Sequence, residues 1–178
     1  FFAASASAES ISIDLQSRAI RYGALRTGRI ELVIGRFLGQ LGLTAAATLI
    51  ACVGVAFVGL FLMRGNAPGV LVYWLVWLSV RAWFFSIPFV AMGMATSQLT
   101  ASPAWSRVMA LALTSASWVI FGIARVAQES ERFSIPADLV LQLLPQGYMT
   151  AMWEPIGWVG SAAVCSLLGG LVLLSTFP

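Results

Sequence analysis

"VLVYWLVWLSVRAWFFSIPFVAMGMATSQL", residues 70 to 99, carries a single charge in thirty residues. As a helix it extends roughly 45 Å, well beyond the ~30 Å hydrocarbon core of a bilayer. Such a run is expected to cross a membrane with some tilt, bend or projection. Pro88, which has no N–H to donate, is the natural place for the bend.

Three more runs read the same way. Residues 30 to 63 contain "LGLTAAATLIACVGVAFVGLFLM", and the breaker-rich turn "RGNAPG" follows from residue 64. Residues 104 to 124 and 153 to 177 supply two further spans, with Pro155 tolerated in a first helical turn. Only 10% of the chain is charged, against about 25% in soluble domains. The mean hydropathy is +0.90. The fold class expected is therefore an all-α integral membrane protein forming one membrane domain, with four full transmembrane helices.

Two smaller elements complete the expected order. Residues 1 to 13, opening "FFAASASAES", read as the end of a helix whose beginning lies outside this sequence. Residues 134 to 148 place Ile135, Leu139, Val140, Leu143 and Leu144 at helical spacing. That pattern suits a short amphipathic helix lying on the outer surface or dipping into the membrane.

Basic residues set the orientation. The ten are all arginines, since the chain has no lysine. Arg18, Arg21, Arg26, Arg29 and Arg36 precede the first span, and Arg107 lies on the same side between the second and third. Arg64, Arg125 and Arg132 lie opposite, accompanied by Glu129, Glu131, Asp138 and Glu154. Six against three makes the first side cytoplasmic. The net charge of +3 is thus a matter of topology, and no nucleic-acid partner is expected. An arginine-only basic set suggests a GC-rich bacterial source, hence a multi-pass protein of the bacterial inner membrane.

The arginine cluster exceeds what anchoring requires. Arg29 and Arg36 stand beside the span and suit the anionic cytoplasmic leaflet. Residues 14 to 29 read instead as a separate cytoplasmic helix. Asp14 is an acceptable N-cap, Leu15, Ala19 and Tyr22 form a modest stripe, and Thr27-Gly28 makes a break.

This segment resembles the intracellular coupling helix of the ABC-2 type transporter permeases, the membrane subunits of ATP-binding-cassette exporters. In "RAIRYGALRTGRIELVIGRF", residues 18 to 37, Arg29 stands at the family's turn arginine, and Gly35-Arg36 stands where Gly-Lys is usual. Arg18-Ala19 replaces a Gly-Thr pair, Arg21 takes a usually acidic position, and Arg26 takes that of a proline. "LLPQGY" ahead of the last span is similar to the Leu-x-Pro sequence that precedes the family's sixth span.

The resemblance implies a permease subunit forming the pathway of an exporter together with a second permease subunit, alike or different. It also implies a separate nucleotide-binding ATPase that holds ATP and magnesium and docks on Arg18, Arg21, Tyr22 and Arg26. A P-loop needs a lysine and this chain has none, so hydrolysis belongs to the partner. The competing reading is a non-transporting membrane scaffold or assembly subunit.

Arg81 is the one ionisable residue deep in an apolar run. It is expected to snorkel, to pair with an acid such as Glu154, or to line the pathway. Tryptophans near span ends, among them Trp74, Trp105, Trp153 and Trp158, suit the membrane interface. Cys52 and Cys165 read as packing residues, and the scattered methionines as core filler rather than metal ligands. Without histidine there is no histidine general base, no HExxH and no His/Cys metal centre.

Overall fold

A computed structural model describes residues 1–13, 29–62, 68–129, 134–154 and 156–175. Among the described residues the elements are helical and no strand occurs. Four helices are long and apolar enough to cross a membrane, with spans Ile30–Gly59, Gly69–Leu99, Pro103–Gln128 and Trp158–Ser175. The chain forms α1 (Phe2–Ser7), α2 (Arg29–Leu62), α3 (Pro68–Leu99), α4 (Pro103–Gln128), α5 (Ser134–Leu143), α6 (Met149–Trp153) and α7 (Trp158–Ser175). A 3-10 turn, Pro145–Tyr148, joins α5 to α6.

Helix α3 is the hub, since α1, α2, α4 and α7 all pack against it. It runs through Pro88 as one helix. Between apolar helices in lipid there is little hydrophobic drive, so association depends on close van der Waals fit and on small residues that permit it. Gly93 shows this directly. A Cβ there would collide with the Ser7 hydroxyl and the Ala4 carbonyl, so α1 lies backbone to backbone on α3. Gly169 serves the α3–α7 contact, where an added Cβ would stand 2.9 Å from the Ile87 Cγ2. Helix α4 turns Ser106, Ala110, Thr114, Ser117 and Ala124 inward, a stripe of small residues.

Several buried hydroxyls are satisfied within their own helices. Thr114 Oγ1 donates to the Ala110 carbonyl at 2.8 Å, and Thr96 Oγ1 to that of Gly93 at 2.7 Å. One indole bridges two long helices, with Trp83 Nε1 donating to the Leu41 carbonyl of α2 at 2.9 Å. The rest of α2 is largely uncovered. Ile50, Val55 and Phe57 are exposed, as suits a lipid-facing helix.

The segment before the last span differs from a single helix over 134 to 148. Leu144 is extended at φ −96°, ψ 133° because it precedes Pro145, whose ring disfavours helical geometry in its neighbour. Glu154 is likewise extended, at φ −75°, ψ 148°, ahead of Pro155. The last helix therefore begins at Trp158 rather than at 153.

Helix α5 runs antiparallel along α4. Gln128 Nε2 donates to Asp138 Oδ1 at 2.7 Å near one end, and Gln146 Nε2 reaches Ser117 Oγ at 2.7 Å beyond the other. From Gln128 to Ser117 is eleven residues of α4, a drop of roughly 16 Å. The face of α5 against the protein carries Ala137, which is buried, while Leu139 and Leu143 point outward. The apolar spacing read from the sequence thus belongs mainly to the uncovered face.

Replacing Gly93 by alanine is expected to push α1 off α3 and to cost about 1–3 kcal/mol, the usual range for overpacking. A fall in the thermal midpoint of the detergent-solubilised protein, absent for Gly54→Ala where a Cβ meets nothing, would register it.

Candidate functional site

The four docking candidates Arg18, Arg21, Tyr22 and Arg26 lie outside the described residues, as does all of the segment from 14 to 28. Its two flanks are described, and they are tied together. Just before the segment, the Ser10 carbonyl accepts a hydrogen bond from Arg36 Nη1 of α2. The Ala8 carbonyl accepts one from Ser106 Oγ in the first turn of α4. The Glu9 carboxylate pairs with the Arg107 guanidinium of α4. Ile11 shares an apolar cluster with Val33 of α2, Met94 of α3 and Leu173 of α7.

The physical consequence is a mount. The chain enters and leaves the arginine-rich segment through residues held against α2, α3, α4 and α7. The contacts differ in strength. Arg36 is partly buried and carries its charge onto a backbone carbonyl, a class of bond worth about 1.5–3 kcal/mol. Arg107 is half-exposed, and a pair in that setting contributes about 0–1 kcal/mol. Arg36, expected to anchor in the lipid headgroups, thus makes an interhelical contact. Arg29 opens α2.

A second constellation surrounds Arg81. Tyr73, Trp77 and Arg81 follow at i, i+4 and i+8 on one face of α3. The rings of Tyr73 and Trp77 stack, with centroids 5.9 Å apart. The Arg81 guanidinium lies 3.7 Å from the centroid of Trp77 and 5.3 Å from that of Trp158, at the start of α7. Arg81 is only 1% exposed. Its Nε, Nη1 and Nη2 have no hydrogen-bond partner. Glu154, weighed as its partner, faces a different cavity.

Cation–π contact in a desolvated setting returns about 2 kcal/mol. An intramembrane arginine costs at least about 2.5 kcal/mol, a cost of the same order as the indoles return, but they supply its N–H groups with no acceptor. The box borders a cavity of about 440 Å³ lined by Val72, Val76, Val80, Tyr73, Trp77 and Trp158, with Arg81 at its wall.

A third, polar cavity of about 380 Å³ lies between α4, α5 and α6 and includes Arg125, Asp138, Gln142, Tyr148 and Glu154. Arg125 rests over the Phe121 ring, and Tyr148 donates to the Gln142 carbonyl at 2.9 Å. Cys165 is buried beside Met152 and Ala162, while Cys52 is partly covered on α2; both are free thiols.

Sequence reading singled out Arg36 and Arg81 but assigned neither its neighbours. It passed over Gly93, Ser106 and Gln146. Gly93 between two methionines was a legible hint of close backbone approach that went unused, whereas Gly169-Gly170 reads as a close-packing pair. Comparison with protein-family models, with curated proteins and with solved structures finds no match to this chain.

Arg36→Gln is expected to lower the thermal midpoint more than Arg107→Gln, by the difference between about 1.5–3 and about 0–1 kcal/mol. Parallel melts of the two variants in one detergent check the order.

Proposed function

We propose that this chain is the membrane-spanning permease subunit of an ATP-driven exporter of the ABC-2 type. It forms the translocation pathway in the bacterial inner membrane with a second permease subunit, identical or related. The ATPase is a separate nucleotide-binding subunit, which holds ATP and magnesium. That subunit docks on the arginine-rich segment through Arg18, Arg21, Tyr22 and Arg26.

One observation carries the reading. The segment from 14 to 28 joins two elements that are themselves fastened to each other and to the bundle, through Ser10–Arg36, Ala8–Ser106 and Glu9–Arg107. A force applied to such a segment reaches several helices at once instead of being lost in a slack loop. Closure of an ATPase pair against it would move α1 and α2 together and, through Gly93, shift α3. Coupling of this kind needs a two-position element biased by the partner, and in this reading the segment from 14 to 28 plays that part.

The antiparallel α5–α6 element before the last span is consistent with the same architecture. Dipping between α4 and α7, it would line the outer end of the pathway. Leu139 and Leu143 on its uncovered face suit contact with lipid.

Affinity purification of the tagged protein in mild detergent, expressed with its neighbouring genes, is expected to bring down a P-loop ATPase with measurable ATP hydrolysis. Changing Arg18, Arg21 and Arg26 together to glutamate should abolish the association while leaving the membrane subunit folded. Absence of any ATPase from the native preparation would favour the membrane-scaffold reading instead.

A further inference from the structure

The polar cavity between α4, α5 and α6 is built in two tiers. Each wall carries a charged residue and, one helical turn deeper, an apolar one. On α4 these are Arg125 and Phe121, and on α5 they are Asp138 and Leu141. The third wall has Glu154 just past α6 and Ala151 within it. Three or four residues of helix separate the tiers by about 5 Å.

The directions of the helices bring all three charges to one level. Helix α5 runs antiparallel to α4, so its later residues lie deeper. Helix α6 climbs back from the turn that carries Gln146, whose amide reaches Ser117. Ser117 lies eight residues, roughly 12 Å, below Arg125 along α4. Burial agrees with this order. Arg125, Asp138 and Glu154 are exposed, whereas Phe121, Leu141 and Ala151 are half-buried.

The rim charges do not neutralise one another. Among the described residues no ion pair joins Arg125 to Asp138 or Glu154. Arg125 rests over the Phe121 ring at 5.8 Å, a contact that uses none of its five N–H donors. Asp138 accepts one hydrogen bond, from Gln128 Nε2, and keeps lone pairs for others. The Glu154 carboxylate has no partner among the described residues. One guanidinium and two carboxylates thus face a shared space above an apolar floor.

This pattern restricts the ligand. A guanidinium fits a carboxylate in a two-pronged contact, and an ammonium with three N–H groups can bridge two carboxylates. An inorganic ion gains nothing from the floor, and a purely apolar molecule leaves the rim unused. A volume of about 380 Å³ lies in the range of small-molecule pockets. The rim is already exposed, so entry requires no rearrangement.

We propose that this cavity binds a free α-amino acid with an apolar side chain. The carboxylate meets Arg125, the ammonium sits between Asp138 and Glu154, and the side chain lies on Phe121, Leu141 and Ala151. The site uses nothing of the arginine-rich segment and stands apart from the exporter reading.

The test uses the full chain in mild detergent, with radiolabelled L-phenylalanine and L-leucine as probes and scintillation proximity as readout. Wild type should bind at least one of them saturably. Phenethylamine lacks the carboxylate, hydrocinnamate the ammonium and glycine the side chain. Each should compete at least about tenfold more weakly than unlabelled L-phenylalanine, the effect of one lost contact. Arg125→Gln should weaken binding by about tenfold or more. Arg107→Gln, at the other end of the bundle, should leave it intact.

Ala151→Trp fills the floor and spares all three charges. It should abolish binding, and it decides the matter should Arg125→Gln not fold. No saturable binding of either probe to wild type, or binding that survives in folded Arg125→Gln or Ala151→Trp, would overturn the site. Competition by phenethylamine as strong as by L-phenylalanine would overturn the assignment to an amino acid in favour of a simple amine. The assay contains no ATPase, so its failure leaves the exporter reading untouched.

Discussion

The close approach of α1 to α3 at Gly93 is the contact on which the arrangement of the helices at that end of the bundle depends. Backbones can meet there only because position 93 has no side chain and because its neighbours are Ala4 and Ser7. In lipid, where apolar residues gain little by leaving one apolar surface for another, such van der Waals contact is what holds helices together. The buried hydroxyls fit the same scheme. Ser7, Thr96, Ser97 and Thr114 bond to carbonyls three or four residues back in their own helices, so they take little space and leave no donor unmet.

Once α1 is seated, its carbonyl end becomes a binding platform. Carbonyls near the C-terminal end of a helix keep free lone pairs and a partial negative charge. Arg36 and Ser106 come to Ser10 and Ala8, while Glu9 draws Arg107. Arg36, expected to anchor in lipid, and Arg107 thus tie the end of this segment to α2 and α4. Arg81 is handled differently. It meets aromatic faces and no acceptor, so its charge is tempered while its donors stay open. The same residue type serves as a fastener at one end of the bundle and as an unsatisfied cation near the other.

Much of this layout was legible beforehand. The four spans follow from hydropathy, since a run of some twenty apolar residues leaves the backbone no economical alternative to a helix. The breaks at Leu144 and Glu154 were passed over, although a residue before proline is pushed out of helical geometry. The orientation of α5 was not legible either. Leu139, Val140 and Leu143 suited a helix on the surface or dipping into the membrane, a reading that left open which side meets the protein; Ala137 faces α4 while both leucines point outward. In a membrane, apolar spacing marks lipid as readily as protein, so periodicity loses its power to tell inside from outside.

Hydropathy along the chain is thus enough to decide how many helices are long and apolar enough to cross a membrane, and in which order. These are properties of local segments exchanged between water and lipid, and each segment settles them almost alone. Which helix faces touch, and which partner each charge finds, is decided only in three dimensions. Trp158 reaches Arg81, Gln146 reaches Ser117 and Arg36 reaches Ser10 across long separations in sequence. The physical reason is that these contacts depend on steric fit between helices. A fit such as that of Gly93 against Ala4 exists only once both backbones are in place.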